Sequence, residues 1–156
     1  MKTPKAFQAI ETRDLAYFRD LVPQSAIFID AENLEKYGHD ETEDLQFNPQ
    51  VVLKPTSVDE VSKILNYCNK RNISVTASGA RTGLSGGALP LYGGVALSTE
   101  NLNRILEIDE RNLQATVEPG VINQVFHEAC KEKGLFYPPD PSSWGSSFIG
   151  GNLALN

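Results

Sequence analysis

Six glycines stand between positions 79 and 94. The stretch begins Ser78-Gly79-Ala80-Arg81-Thr82-Gly83-Leu84-Ser85-Gly86-Gly87-Ala88-Leu89-Pro90 and closes with Gly93-Gly94. Glycine loses more conformational freedom on folding than any other residue, so a cluster this dense needs a use. The apolar segment Ile73-Ser74-Val75-Thr76-Ala77 runs into it as a strand, and Val95-Ala96-Leu97-Ser98 leaves it as another. Small residues between two strands let the backbone reach positive φ and approach another object closely. Successive free N–H groups in such a loop make a concave nest for an anion. Thr82 and Ser85 add hydroxyl donors, and Arg81 a fixed positive charge. The stretch reads as a loop that cradles phosphate oxygens, with a bare glycine-rich turn as the alternative. It meets neither familiar phosphate fingerprint. Gly83 is followed by Leu84 and Ser85 where a P-loop needs Lys and then Ser or Thr, and G-x-G-x-x-G starts from neither Gly79 nor Gly83.

The chain ahead of the loop reads as helix, short helix, strand and helix. Thr3 to Leu21 has helical character, with Phe7, Ile10, Leu15, Phe18 and Leu21 as face residues, and Pro23 ends it. Asp30 or Ala31 starts a short helix, Glu32 to Tyr37, that Gly38 stops from the C′ position. The acidic run His39 to Asp44 reads as a solvated loop rather than a metal site. Val51-Val52-Leu53 is a strand. Ser57-Val58-Asp59-Glu60 is a capping box, and Val58, Val61, Ile64, Leu65 and Cys68 recur at helical spacing up to Asn72.

Past the loop the pattern changes. Thr99 to Arg104 reads as a turn of helix or a loop. Ile105 to Asp109 and Leu113 to Val117 alternate at period two around Glu110-Arg111-Asn112, a hairpin. Val121 to Lys133 is a helix facing inward with Val121, Val125, Phe126, Ala129 and Cys130, and Gly134 caps it. His127 reads as a surface residue beside Glu128, and Leu135-Phe136-Tyr137 as a short strand. Pro138-Pro139-Asp140-Pro141-Ser142-Ser143 is a stiff loop, because proline fixes φ and pushes the residue before it toward extended backbone. Gly150-Gly151 precedes a helix start, Asn152 to Asn156, a second place suited to an anion.

The 156 residues suffice for a domain with its own core. A net charge of −6 argues against a nucleic-acid partner. Cys68 and Cys130 sit on predicted apolar helix faces outside any C-x-x-C pair, which reads as buried free thiols in a reducing compartment, with a disulfide between the two helices as the alternative. Met1 to Lys5 leads into no long apolar run, and no stretch approaches the ~20 residues of a membrane span. The expected setting is cytoplasmic.

A family resemblance is specific at three motifs and extends to a fourth segment. Gly79 to Pro90 resembles the pyrophosphate-binding loop of FAD-linked oxidases of the p-cresol methylhydroxylase and vanillyl-alcohol oxidase type, with the glycolate oxidase FAD subunit and FAD-dependent D-lactate dehydrogenases as the nearest branch. Pro138 to Ser143 resembles the proline–aspartate–proline–serine segment bordering the flavin. Ile149-Gly150-Gly151-Asn152 resembles the stretch lining the pyrophosphate and ring region. Tyr37-Gly38-His39-Asp40 looks like the lead into the first FAD-domain strand.

The resemblance implies an α+β fold: an FAD-binding domain of the p-cresol methylhydroxylase type with two α+β subdomains. It implies a first subdomain over 30–102 and a second, truncated one over 103–156, behind the N-terminal helical segment that the periodicity places in 1–29. It implies FAD, oxidation of a small 2-hydroxy acid to a 2-oxo acid, an unnamed electron acceptor, and a homo-oligomer or partner subunits; the alternative reading of the residues is a non-enzymatic module that binds a nucleotide or phosphate through the same loop. Gly79, Ala80, Arg81, Thr82, Gly83, Ser85, Gly87 and Ala88 would hold the pyrophosphate. Asp140, Ser143, Ser147, Gly150, Gly151 and Asn152 would border the rest of the cofactor.

Two positions depart from the family pattern. Ser78 stands where the family often has Arg, and Arg81 where it often has Gly, so the Arg81 backbone must tolerate the local geometry and its side chain could replace the lost charge. Thr82 aligns with the His that bonds flavin covalently in some relatives, which implies non-covalent FAD. Substrate-binding and proton-accepting residues are expected beyond Asn156, so no catalytic residue is assigned. An isolated chain of this extent is expected to be poorly stable, with Leu153 and Leu155 uncovered.

Overall fold

A computed structural model describes residues 6–155, which form two compact units. Unit 1 holds the described residues up to Ser78 together with Gly83–Ser98, and unit 2 holds Gly79–Thr82 and the residues from Thr99 onward.

Unit 1 is built on a four-stranded sheet. Its strands are β1 (Ile27–Phe28), β2 (Val51–Leu53), β3 (Val75–Ser78) and β4 (Val95–Ser98), in the order β1-β2-β4-β3. β4 runs parallel to both β2 and β3, and β1 is an antiparallel edge on β2. β2 and β4 are buried along their whole length, as expected of parallel strands covered on both faces. Val51, Leu53, Val95 and Leu97 face a cluster that includes Phe18 of α1 (Thr12–Leu21) and Ile64 and Cys68 of α3 (Val58–Arg71). Val52 and Ala96 face the other way, against Tyr37, with Leu34 of α2 (Ala31–Lys36) packed beside them.

Several local expectations need revision. α1 begins at Thr12, while Thr3–Lys5 lie outside the described residues. The backbone ahead of α1 bonds across the unit: Gln8 N–H donates to Asn72 O at 2.8 Å, Ile10 N–H donates to Gln50 Oε1 at 3.1 Å, and Ala6 O accepts from Asn72 Nδ2 at 2.8 Å. Those partners hold it out of the helix. Asp30 caps α2 by accepting from Asn33 N–H. Gly38 does not stop α2 through a left-handed turn; a side chain there would press on Phe47 O and Glu35 O.

Ser57 Oγ accepts from Glu60 N–H at 3.2 Å, but the Glu60 carboxylate reaches Thr56 N–H rather than Ser57. The buried stripe of α3 is narrower than its periodicity implies, since Val58 is 75% and Leu65 44% exposed. Asn72 ends the helix in the left-handed region. β3 starts two residues later than the apolar run and ends on Ser78. α1 and α3 are pinned by Asp14, fully buried, which accepts from Tyr67 Oη at 2.7 Å and Arg71 Nε at 2.9 Å.

Unit 2 pairs an antiparallel hairpin, β5 (Ile105–Asp109) and β6 (Gln114–Val117), with α4 (Asn123–Glu132) and α5 (Ile149–Leu155). Val121, Phe126, Cys130 and Ile149 make its core, with Ile105, Ile108 and Val117 from the hairpin packed against them. Leu113 belongs to the turn rather than the strand, at φ 54. Val121 precedes α4, and Val125 is exposed. Leu135–Tyr137 forms no strand. Leu135 N–H instead bonds back to Cys130 O and closes the end of α4. Both cysteines are buried and free. No helix among the described residues is long and apolar enough to cross a membrane.

Candidate functional site

In unit 1 the glycine loop leaves the end of β3 at Ser78, which is fully buried and whose hydroxyl has no partner among the described residues. From Gly83 to Ala88 the chain has no regular structure. Gly86 takes φ +69, where a side chain would be strained. Two hydrogen bonds tie this part of the loop to residues 41–42: Glu41 N–H donates to Gly83 O at 3.0 Å, and Gly86 N–H donates to Thr42 Oγ1 at 2.8 Å. The N–H groups of Gly83, Leu84, Ser85, Gly87 and Ala88 find no acceptor among the described residues. A row of open donors on a turning backbone is what an anion nest requires.

In unit 2 the segment Gly79–Thr82 turns through Arg81 at φ +60. Arg81 adopts this left-handed backbone with a side chain attached, where glycine would be unstrained. The expected replacement charge does not stand alone. Arg81 Nη1 lies 3.4 Å from Glu100 Oε1 and 3.3 Å from Gly79 O, so a carboxylate offsets it. A side chain at Gly79 would meet the ring of Phe148 at 3.7 Å.

The proline loop has a structural task besides any ligand. Trp144 O and Ser147 O accept from Gln124 N–H at 3.0 Å and Asn123 N–H at 2.9 Å, which caps α4 where Ile122 has no side chain to do so. Ser147 N–H and Ser146 N–H return to Ser143 O. Asp140 is exposed on this loop.

Gly150 and Gly151 lie inside α5 rather than ahead of it, and Asn156 lies outside the described residues. The Gly150 N–H is already spent on Pro119 O at 2.9 Å and is not offered to a ligand. Gly151 has nothing within 4 Å of where a Cβ would be. Among the described residues Ser147 Oγ and Asn152 Nδ2 are buried without partners, and so are both polar atoms of Asn123, a fully buried residue. Asn123 was not singled out in the sequence. Its one signal is an amide on an otherwise apolar helix start, Val121-Ile122-Asn123. His127 is half-buried rather than on the surface, with Nδ1 3.2 Å from Tyr137 O.

Open N–H donors along Gly83–Ala88 suit the oxygens of a phosphate-rich ligand, and within the second unit the orphaned groups of Asn123, Ser147 and Asn152 each call for a polar partner. A mixed parallel sheet whose strand runs into such a nest defines a nucleotide-binding α+β protein. Residues 49–156 match the family described as the FAD binding domain, and the chain belongs to that family. It is 47% identical over 120 residues to the glycolate oxidase subunit GlcD of Bacillus subtilis, covering 77% of this chain and 26% of that protein. It is 36% identical over 138 residues to a D-2-hydroxyglutarate dehydrogenase of Stutzerimonas stutzeri (88% and 30%), and 38% identical over 142 residues to a D-lactate dehydrogenase of Anaerostipes hadrus (89% and 29%).

Among solved structures it is similar to a 4-ethylphenol oxidase from Gulosibacter chungangensis, with TM-score 0.77 and 27% identity over 95% of this chain and 30% of that one. A p-cresol methylhydroxylase shares the fold at TM-score 0.70 and 22% identity, over 83% of this chain and 27% of that one. The chain thus spans less than a third of the curated relatives it matches.

Proposed function

We propose that this chain is the FAD-holding part of a flavin-dependent oxidoreductase that converts a small 2-hydroxy acid, of the glycolate or D-lactate type, to the 2-oxo acid. The observation that carries the reading is the row of open N–H groups from Gly83 to Ala88 in a chain of the FAD binding domain family. The names of the relatives, each a hydroxy-acid oxidase or dehydrogenase, supply the substrate class. Bound FAD would supply the two-electron acceptor.

The chain's own residues then divide the work of binding. Gly83, Ser85, Gly87 and Ala88 offer backbone donors to the pyrophosphate, and Gly79, Ala80, Arg81 and Thr82 carry the same loop. Ser147 Oγ and Asn152 Nδ2 are the buried groups in need of a partner. Asp140, Ser143, Gly150 and Gly151 border the remainder, Gly150 through close packing rather than through its N–H. Thr82 has no ring nitrogen to bond a flavin methyl carbon, so the cofactor is held non-covalently. Residues 30–102 and 103–156 are read as parts of two FAD-binding subdomains. No catalytic acid or base is assigned to this stretch. A reducing compartment such as the cytoplasm suits the free thiols, and a partner subunit or a second copy fits a relative named as a subunit.

The test is an absorption spectrum of the whole natural protein, followed by acid precipitation and by anaerobic addition of glycolate, D-lactate or D-2-hydroxyglutarate. Flavin bands that pass to the supernatant and bleach with one of these acids are expected. Flavin retained in the pellet overturns the non-covalent reading alone. ADP binding with no uptake of FAD overturns the oxidoreductase reading.

A further inference from the structure

The acidic run His39 to Asp44 reads from sequence as a solvated loop, yet it carries the two bonds that fix the middle of the glycine loop within unit 1. Asp40, 7% exposed, accepts Thr42 N–H on Oδ1 at 3.0 Å and so turns the chain back on itself. That turn aims Thr42 Oγ1 at Gly86 N–H, 2.8 Å away, while Glu41 N–H holds Gly83 O at 3.0 Å. The two anchor points, Gly83 and Gly86, bracket Leu84 and Ser85, whose N–H groups are open. The strap therefore consumes one loop donor and one loop acceptor and leaves the N–H groups of Gly83, Leu84, Ser85, Gly87 and Ala88 open on a tethered backbone. An untethered glycine loop would sample many shapes, and ordering it on binding would subtract from affinity.

We infer that Thr42, set by Asp40, is a positioning residue for the cofactor pyrophosphate: it pre-forms the nest without touching the phosphate. This rests on the FAD reading above. A valine at 42 keeps the shape of the side chain and deletes the acceptor, and a serine keeps the acceptor.

The experiment uses the whole natural protein as apoprotein, with FAD as the probe, in wild type, Thr42→Val and Thr42→Ser. Amide exchange at Gly86, FAD dissociation constant and apoprotein melting temperature are read together. Thr42→Val is expected to speed exchange at Gly86 and to weaken FAD about tenfold, the loss of roughly one hydrogen bond's worth of pre-organisation. Its melting temperature should stay near that of the wild type, and Thr42→Ser should bind within about twofold of wild type, since its hydroxyl keeps the same acceptor. Unchanged exchange at Gly86 in Thr42→Val overturns the strap, whatever the ligand. Faster exchange with unchanged FAD affinity overturns the positioning role, as does equal weakening in Thr42→Val and Thr42→Ser. A wild-type protein that takes up no FAD sinks the functional reading and the positioning role with it, and the Gly86 exchange then still decides whether the strap exists.

Discussion

Gly150 and Gly151 are neighbours in α5, and a methyl group added to each should act in opposite directions. At Gly150 the new Cβ would lie 2.6 Å from Pro119 Cβ and 2.9 Å from Pro119 O. Ordinary van der Waals contact begins near 3.4 Å, so the overlap is most of an ångström. Pro119 has little room to yield, because its ring fixes φ and its carbonyl is held by the Gly150 N–H. Overpacking of this kind costs about 1–3 kcal/mol. The gain in helix propensity on replacing glycine with alanine returns about 1 kcal/mol, which leaves Gly150→Ala less stable by about 0–2 kcal/mol. At Gly151 the space is empty, so only the propensity term acts, and Gly151→Ala should be more stable by about 0.5–1 kcal/mol. Hydrogen exchange of the α4 and α5 amides in the apoprotein reads these as local opening free energies. Gly150→Ala should lose protection and Gly151→Ala gain it. Equal protection in the two variants would refute the packing argument. FAD titration adds a second arm: the open side of Gly151 is assigned to the cofactor, so Gly151→Ala should bind FAD more weakly while being the more stable apoprotein.

Arg81→Gly should exceed Arg81→Ala in stability by about 1 kcal/mol, since both lose the Glu100 pair but only glycine is at ease at φ +60; urea midpoints measure it. Burial pushes the Asp14 carboxyl up, yet hydrogen bonds from Arg71 and Tyr67 outweigh this and hold it below its ordinary value of 3.8. A carboxyl with a lowered native pKa stabilises the fold above its unfolded value, and that stability is lost as the pH falls through the native one. Asp14→Asn should therefore be destabilised at pH 7, with the gap to wild type closing below about pH 4 in acid melts. Burial pushes the Cys68 thiol up to about 12, and Cys130 is raised for the same reason. Neither should react with a thiol reagent at pH 8 until denaturant is added, and mass spectrometry of the labelled native protein checks this.

What the sequence disclosed was governed by neighbours along the chain. Val51–Leu53 and Val95–Ser98 declare themselves as buried parallel strands because both of their faces must be apolar. Ser57 announces α3, and Asn72 its end, through side chain and backbone a few residues away. Where the partner is distant, the pattern misleads. Residues 6–10 carry a plausible helical face, but their backbone bonds go to Gln50 and Asn72. Gly150 looks like an anion-facing glycine, and only Pro119 shows why its Cβ is forbidden. Arg81 suggested a spare charge until Glu100 came beside it. Thr42 had no signal of its own, since its hydrogen bond spans 44 positions. The FAD-contact residues remain a proposal, resting on motif and on unpaired polar groups.

The strand order β1-β2-β4-β3 has a mechanical consequence. β3 and β4 are adjacent and parallel, with Val75 opposite Val95 and Ser78 opposite Ser98. The chain leaving the top of β3 must therefore travel back to the bottom of β4, a crossover that helices usually make. Here the glycine segment spans it unaided. A molecule gripping Gly83–Ala88 holds the middle of the belt that joins these two strands. Whatever tightens the belt resists peeling of β3, so digestion within Val75–Ser78 should slow when the loop is occupied.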